Sequence, residues 1–222
     1  MLKAVLFDMD GVIVDTEPLH RKAYHQMFEE VNIKVDAHLY ESFTGQSTLN
    51  ICNRLVDHFS LKETPEVLVN LKRKHYKYLF EHDDELALID GVLDLIKDYY
   101  LNNVKLVVAS SASMEGINQI FTRFDLNQYF ATKFSGADLK QSKPHPEIFI
   151  KAATSTGFNR SECMVIEDST NGIQAAHAAG IFCVGFKSHH SSGQDYDLAN
   201  IVISDFKDIS FFNRNNFFKE EY

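Results

Sequence analysis

The sequence predicts an α/β fold, with a doubly wound parallel sheet as its core and an inserted α-helical cap domain. Short apolar runs recur along the chain, as expected for strands that are buried on both faces of a parallel sheet. Segments with helical periodicity separate these runs, and this alternation is typical of βαβ units. One long segment near the N-terminus has helical periodicity alone, which indicates an insertion.

Five apolar runs are predicted to form the strands of this Rossmann-like core. They are residues 3–7, 105–109, 163–166, 182–186 and 200–203. The helices predicted among them are residues 91–100, 114–124, 146–156 and 172–179. Strands joined by helical crossovers pair in parallel, so their carboxyl ends should meet at one edge of the sheet.

The insertion is predicted to span residues 17–86, so the core domain would consist of residues 1–16 and 87–222. The helices predicted within it are residues 18–30, 47–59 and 66–81. Because the insertion follows the first strand, we expect it to form a cap over the carboxyl edge of the sheet.

Composition and charge exclude several classes of function. The 222 residues include 22 basic and 31 acidic side chains, and the net charge of −9 disfavours a nucleic-acid partner. No apolar stretch reaches the roughly 20 residues that a membrane span needs, and the first residues lack the pattern of a signal peptide. The three cysteines form no C-x-x-C pair and are interpreted as reduced thiols. We therefore expect a soluble, cytoplasmic protein.

Two pairs of acidic residues follow predicted strands. Asp8 and Asp10 follow the first strand, and Glu167 and Asp168 follow the strand at residues 163–166. Ligands of open parallel sheets bind outside the carboxyl ends of the strands, so the four carboxylates should lie together. Such a cluster is repulsive unless a cation lies within it, and oxygen ligands suit Mg²⁺. The sequence therefore predicts a magnesium site made of these four residues.

Three further residues are suited to binding phosphate. Ser110 and Ser111 follow the strand at residues 105–109 and would offer hydroxyl and N–H groups near the start of a helix. Lys143 lies in a loop that Pro144 and Pro146 stiffen. A lysine held there could neutralise both an aspartate nucleophile and a phosphoryl oxygen.

Together these residues resemble the motifs of the haloacid dehalogenase superfamily of phosphotransferases. The segment from Asp8 to Val12 resembles the first motif, Ser110 the second, Lys143 the third, and Glu167 with Asp168 the fourth. The motifs stand in the family's order, and the resemblance covers essentially the whole chain. The helical insertion and residues 15–20 resemble the branch that contains β-phosphoglucomutase and sugar phosphatases.

The resemblance implies a role for each motif. Asp8 would attack phosphorus and form an aspartyl-phosphate, a form of covalent catalysis. Asp10 would protonate the leaving oxygen and then accept a proton from water, while its backbone carbonyl helps to bind Mg²⁺. Asp168 would bind the metal, with Glu167 beside it or acting through water. The residues that would hold the transferred phosphoryl group are Ser110 and Lys143.

The same resemblance assigns residues of the insertion to substrate binding. His20 is similar to a hinge histidine and Lys74 to a lysine of the β-phosphoglucomutase cap. The residues that resemble the family's substrate loop are Gly45, Gln46, Ser47 and Thr48. The mutase carries an arginine at the position of Thr48, which holds the phosphate that is not transferred. A threonine provides no cationic group for that phosphate.

The predicted function is Mg²⁺-dependent hydrolysis of a small phosphorylated metabolite, with a sugar phosphate as the favoured class. Two alternatives stay open: a β-phosphoglucomutase-type mutase, and a non-catalytic binding protein on the same fold. Asp10 argues against halide displacement, because dehalogenases of this fold lack an aspartate at that position. The identity of the substrate stays open, and a monomer is expected.

Overall fold

A computed structural model describes residues 1–43, 48–188 and 193–218 of the chain. The protein divides into two compact units, a larger one of Met1–Asp15 and Ala87–Tyr222 and a smaller one of Thr16–Leu86. The sequence predicts the first boundary after residue 16. Thr16 instead belongs to the smaller unit, where its carbonyl accepts the backbone N–H of His20 over 3.0 Å at the start of a helix.

Six parallel strands form one sheet in the larger unit, which confirms the predicted fold class. They are β1 (Ala4–Phe7), β2 (Lys105–Ser110), β3 (Phe130–Ser135), β4 (Cys163–Glu167), β5 (Phe182–Phe186) and β6 (Ile201–Ile203), in the spatial order β3-β2-β1-β4-β5-β6. Every neighbouring pair is parallel. The fully buried β1 lies between β2 and β4, so the carboxyl ends of these three strands lie side by side.

Helices surround the sheet and make up the smaller unit. The smaller unit contains α1 (Glu17–Glu30), α2 (Ala37–Glu41), α3 (Thr48–Phe59) and α4 (Pro65–His82). The larger unit contains α5 (Val92–Leu101), α6 (Met114–Arg123), α7 (Glu147–Thr156), α8 (Thr170–Ala178) and α9 (Arg214–Phe217). Each unit has its own apolar core, around Phe149 and Ile173 in the larger and around Met27 and Leu55 in the smaller. Within the described ranges, no helix combines the length and the apolar character that crossing a membrane requires.

The strand β3 and the short helices α2 and α9 have no counterpart among the predicted elements. β3 lies at the edge of the sheet and is only partly buried, and its sequence includes Thr132 and Lys133. An edge strand needs no continuous apolar run, because one of its sides has no neighbouring strand. The five residues of α2 are too few to show a helical period.

Two phenylalanines near the end of the described chain pack against β5. Phe206 stacks on Phe186 with their ring centroids 4.2 Å apart, and Phe218 contacts the ring of Phe182 at 5.2 Å. Phe206 and Phe218 are buried. These side chains therefore extend the apolar core of the larger unit.

Candidate active site

Lys143 joins the carboxyl ends of two neighbouring strands. Its ammonium contacts Oδ1 of Asp8 and lies 2.6 Å from Oε1 of Glu167. Asp8 follows β1 directly, and Glu167 is the last residue of β4. Only 5% of the Lys143 side chain, 9% of Asp8 and 1% of Glu167 is exposed. The structure thus brings together three of the predicted site residues in a buried ion cluster.

Both carboxylate oxygens of Glu167 are engaged. Oε1 accepts a hydrogen bond from Lys143, while Oε2 accepts the backbone N–H of Ser169 at 2.8 Å and its hydroxyl at 2.9 Å. Ser169 also caps α8, because its hydroxyl accepts the N–H of Gly172 at 3.1 Å. A Cβ at position 172 would lie 1.7 Å from Oε1 of Glu167, so glycine leaves the space that this carboxylate fills. These contacts hold the Glu167 carboxylate in place, and Glu167 in turn positions Lys143.

The carboxylates of the site are held in an unfavourable environment for negative charge. Burial raises the pKa of Asp8 to about 7; Glu167 and Asp10 raise it as well, whereas Lys143 lowers it. Burial also raises the pKa of Asp168 to about 8, with further increases from Glu167 and Asp8 and an opposing effect of Lys143. An additional cation would relieve this repulsion.

Lys143 itself stays charged. Burial alone would lower its pKa, but Asp8 and Glu167 outweigh that effect and raise the pKa above the usual value of a lysine. A permanently charged ammonium can neutralise a carboxylate and a phosphoryl oxygen in turn. One lysine is nevertheless insufficient for the carboxylates of Asp8, Glu167 and Asp168 when all are ionised.

Asp8 and Asp168 are the residues that fit a divalent cation. The Asp168 carboxylate lies against the backbone of Gly11, where a Cβ would be 2.1 Å from its Oδ2. Gly11 has a φ of +85°, so both its conformation and the available space favour glycine. Mg²⁺ needs only one or two protein carboxylates when it also binds water and substrate phosphate. The pair therefore suits a magnesium ion bound together with a phosphorylated substrate.

The four carboxylates predicted to bind Mg²⁺ differ in how far other groups already contact their oxygens. In the parts of the chain that the structure describes, no group of three or more His, Cys, Asp or Glu side chains is arranged to hold a metal ion. Both oxygens of Glu167 already contact Lys143 or Ser169. Asp8 and Asp168 are therefore the favoured pair, and the wider set that includes Asp10 and Glu167 stays a prediction.

Asp10 lies in a tight turn that follows β1. Within this turn the N–H of Gly11 donates to the carbonyl of Val14 at 2.9 Å, and the N–H of Val14 donates to the carbonyl of Met9 at 3.1 Å. The Asp10 carboxylate is close enough to raise the pKa of Asp8. The turn thus places both aspartates of the first motif in the same charged environment.

Ser110 ends β2, the other neighbour of β1, and its side chain is buried. Its hydroxyl oxygen accepts the backbone N–H of Ala112 at 3.1 Å, and α6 begins two residues later with Ser113 as its N-cap. Ser111 is exposed. Because the Ser110 hydroxyl accepts that bond, it keeps its own hydrogen to donate to a phosphate at the carboxyl edge of the sheet, close to the start of α6.

The end of β3 supports the segment 110–112. This contact was not predicted, because β3 itself was not predicted. The Ser135 hydroxyl donates to the carbonyl of Ala112 at 2.9 Å. A Cβ at Gly136 would lie 3.1 Å from Cα of Ser111, so glycine allows the close approach. In the sequence, the Ser135-Gly136 pair could have indicated this contact if it had followed a predicted strand, but no strand was predicted there.

In the smaller unit, His20 is paired with a buried lysine. Lys72 Nζ lies 2.6 Å from Nδ1 of His20, and the imidazole stacks on the ring of Tyr76 with centroids 4.5 Å apart. The Lys72 ammonium also lies over the rings of Tyr24 and Tyr76, at 5.2 and 4.9 Å. Burial and the charge of Lys72 lower the pKa of His20 to about 3. The histidine is therefore neutral at physiological pH.

The lysine predicted to bind substrate in this region is Lys74, and it is not the buried one. Lys74 has 70% of its side chain exposed and lies 3.8 Å from Glu30. Lys72 and Tyr76 are four residues apart and share one face of α4, whereas Lys74 lies on another face of this helix. Lys72 is therefore a further candidate for a functional lysine of the insertion, and the substrate-binding role of Lys74 stays a prediction.

The predicted substrate loop is only partly described. Gly45, Gln46 and Ser47 lie outside the described residues, whereas Thr48 is the first residue of α3. Burial raises the pKa of Tyr24 to about 12, and a hydrogen bond between Tyr24 and Thr48 opposes this increase. Thr48 therefore contacts an uncharged partner within the smaller unit.

Known proteins are similar to this chain in sequence and in fold. A family model described as haloacid dehalogenase-like hydrolase matches residues 5–186. A fructose-1-phosphate phosphatase of Escherichia coli is 28% identical over 81% of this chain and 94% of the relative. A β-phosphoglucomutase of Bacillus subtilis is 29% identical over 94% of this chain and 92% of the relative. The crystal structure of a β-phosphoglucomutase from Clostridium difficile superposes with a TM-score of 0.76 and 27% identity, covering 98% of this chain and 97% of that one.

Proposed function

Because this chain belongs to the haloacid dehalogenase-like hydrolase family, we propose that it is a Mg²⁺-dependent phosphatase that hydrolyses a sugar phosphate through an aspartyl-phosphate. The observation that carries the proposal is the buried cluster in which Lys143 contacts both Asp8 and Glu167 at the carboxyl edge of the sheet. The relatives named as a fructose-1-phosphate phosphatase and a β-phosphoglucomutase support the substrate class.

Asp8 is the proposed nucleophile. A bond forms between one of its carboxylate oxygens and phosphorus, while the bond between phosphorus and the ester oxygen breaks. Lys143 neutralises the carboxylate and the incoming phosphoryl oxygens, and Glu167 holds the ammonium in place. A magnesium ion held by Asp8 and Asp168 would supply the remaining positive charge in this buried site.

Asp10 is the proposed general acid and base. It donates a proton to the leaving ester oxygen, so that the sugar departs as a neutral alcohol. The resulting Asp10 carboxylate then accepts a proton from the water that attacks the aspartyl-phosphate. Inorganic phosphate leaves, and both Asp8 and Asp10 return to their starting forms.

The segment 110–112 is the proposed seat of the transferred phosphoryl group. Ser110 offers its hydroxyl, and the chain leads into the N-terminus of α6, where N–H groups favour an anion. Ser135 fixes the segment through its bond to Ala112. In-line transfer depends mainly on such positioning and on charge neutralisation.

Hydrolysis is favoured over phosphoryl transfer to a second sugar hydroxyl. A mutase must hold a bisphosphorylated intermediate at both ends, and Thr48, which shares a hydrogen bond with Tyr24, brings no positive charge to that task. The mutase stays as a second candidate because the β-phosphoglucomutase of Bacillus subtilis matches 94% of this chain.

The alternative of a non-catalytic binding protein is disfavoured by the family and by the complete set of Asp8, Asp10, Lys143 and Asp168. The cytoplasmic location and the monomeric state stay predictions from the sequence.

A screen for phosphate release across a panel of phosphorylated metabolites, with Mg²⁺ present, tests the proposal. We expect hydrolysis of at least one sugar phosphate by the parent protein and none by a matched Asp8→Asn preparation. Equal release by the two preparations would point to a contaminating phosphatase and remove the support for this function.

A further inference from the structure

A tyrosine outside the four motifs contacts the backbone of the candidate metal ligand Asp168. The hydroxyl of Tyr196 lies 3.0 Å from the carbonyl oxygen of Asp168 and 3.4 Å from that of Phe186. Asp168 follows β4, and Phe186 is the last residue of the neighbouring strand β5. A hydroxyl has one hydrogen to donate, and the shorter distance makes Asp168 its main acceptor.

The ring of Tyr196 occupies a position that the sheet has left open for it. A Cβ at Gly185 of β5 would lie 2.7 Å from Cδ1 of Tyr196 and 3.2 Å from Cβ of Ala199. Any larger residue at position 185 would therefore displace the ring. The backbone N–H of Ala199 in turn donates to the carbonyl of Tyr196 at 2.9 Å, which fixes the segment on its other side.

A second residue of the same segment holds the first turn of α8. Oε1 of Gln194 accepts both the backbone N–H of Thr170 at 2.8 Å and its hydroxyl at 2.9 Å. The Thr170 hydroxyl oxygen accepts the backbone N–H of Asp195 at 2.8 Å. Tyr196 thus binds the chain at Asp168, and Gln194 binds it at Thr170.

We propose that Tyr196 and Gln194 are positioning residues that hold the Asp168 backbone in the orientation required for its carboxylate to bind a divalent cation. The Asp168 carboxylate lies against Gly11, where a Cβ would be 2.1 Å from its Oδ2, so a small shift of the Asp168 backbone would move the carboxylate out of this position. Outer contacts that orient a ligand typically change metal affinity by about 10- to 100-fold when they are removed. This proposal rests on the metal site of the proposed function.

Binding of Mn²⁺ to the full chain without substrate, followed by electron paramagnetic resonance, tests the proposal. Tyr196→Phe removes one hydroxyl and leaves the ring beside Gly185. We expect this variant to bind Mn²⁺ about 3- to 10-fold more weakly than the parent, because it loses one hydrogen bond of several that hold this segment. Gln194→Leu should weaken binding in the same direction.

Tyr99→Phe is the matched control. Its hydroxyl also donates to a backbone carbonyl, that of Ile209, and the carbonyl of Tyr99 accepts the N–H of Val104 just before β2 begins, at the opposite end of the strand from Ser110. This variant should lose a comparable hydrogen bond with no change in Mn²⁺ affinity. In turnover, Tyr196→Phe should need more Mg²⁺ for half-maximal rate, while saturating Mg²⁺ restores kcat and the KM for substrate is unchanged.

Asp168→Asn tests the proposed metal site independently of the positioning role of Tyr196 and Gln194. If Asp168→Asn binds Mn²⁺ as tightly as the parent, the proposed metal site is wrong, and the positioning role falls with it. If Asp168→Asn loses Mn²⁺ whereas Tyr196→Phe keeps the affinity of the parent, only the positioning role is wrong. Equal weakening in Tyr196→Phe and Tyr99→Phe would also overturn it, because a general loss of stability would then explain the result.

Discussion

Lys72 donates a hydrogen bond from its ammonium to Nδ1 of His20 over 2.6 Å, and this contact defines the protonation of the imidazole. An ammonium has three donors and no acceptor, so Nδ1 must carry a lone pair and the ring hydrogen of the neutral form must be on Nε2. Burial and Lys72 keep the pKa of His20 at about 3. His20 is therefore a neutral hydrogen-bond donor rather than an acid or base at physiological pH.

The first prediction follows from this pair. Nitrogen NMR of the parent protein should show His20 protonated on Nε2 from pH 8 to about pH 5, without titration. Lys72→Met removes the charge that lowers the pKa but leaves the burial, so the pKa should rise from about 3 and stay below the usual 6.5. Lys74→Met, at an exposed position, is the control and should leave His20 unchanged. An unshifted His20 in Lys72→Met would contradict the assigned role of Lys72.

The second prediction concerns Mg²⁺ and pH. The pKa values of Asp8 and Asp168 are raised from 3.8 to about 7 and 8, mainly by burial. Their protonated forms therefore stabilise the metal-free protein below about pH 4, and this contribution is lost as the pH rises through 7 to 8. Mg²⁺ binds the ionised forms, so the increase in Tm on adding Mg²⁺ should grow between pH 5 and pH 8.

Thermal unfolding with Mg²⁺ and with EDTA at each pH measures the increase in Tm that Mg²⁺ causes. Asp168→Asn should show a much smaller increase in Tm at every pH, because one of the two carboxylates is lost. An increase that is equally large at pH 5 and pH 8 in the parent would speak against Asp8 and Asp168 as the metal ligands.

The third prediction identifies the nucleophile. Asp8→Asn should lower turnover by more than about 10³-fold, because the amide is a poor nucleophile of nearly the same size. Circular dichroism should show an unchanged fold. Turnover within tenfold of the parent, in a preparation free of other phosphatases, would reject Asp8 in this role.

The fourth prediction separates the two steps of the reaction. Asp10→Asn should still allow Asp8 to attack an activated ester, whose leaving group hardly needs a proton. Breakdown of the aspartyl-phosphate should then be slow, because no base activates water. Mass spectrometry after a rapid quench should detect one added phosphoryl group on the chain. Absence of this adduct, together with equal slowing for activated and unactivated esters, would show that Asp10 has another role.

The fifth prediction addresses the choice between phosphatase and mutase. With β-glucose 1-phosphate and a trace of bisphosphate, the parent should release inorganic phosphate faster than it forms glucose 6-phosphate. Thr48→Arg should bind bisphosphorylated sugars about 10- to 100-fold more tightly, since a hydrogen bond to a charged group contributes about 1.5–3 kcal/mol. Thr48→Gln, long but neutral, is the control. Many turnovers to glucose 6-phosphate with little phosphate release would reverse our preference.

The sequence by itself determined the sheet and the residues placed at its carboxyl edge. Buried parallel strands need continuous apolar runs, and a change to acidic or hydroxyl residues at the end of a run marks where a strand meets its ligand edge. Asp8, Ser110 and Glu167 could therefore be located from short segments of the chain. β3 could not, because an edge strand with Thr132 and Lys133 lacks this local pattern.

The tertiary structure decided which of these residues contact each other and in what role. Only the folded chain shows that Ser169 and Lys143 occupy both oxygens of Glu167, or that Lys72 rather than Lys74 faces His20. The contact between Tyr196 and Asp168, which are 28 residues apart in sequence, is likewise visible only in the folded chain. A hydrogen bond depends on positions within a few tenths of an ångström, and packing between elements sets those positions, whereas the periodicity of a segment reports only which of its faces is buried.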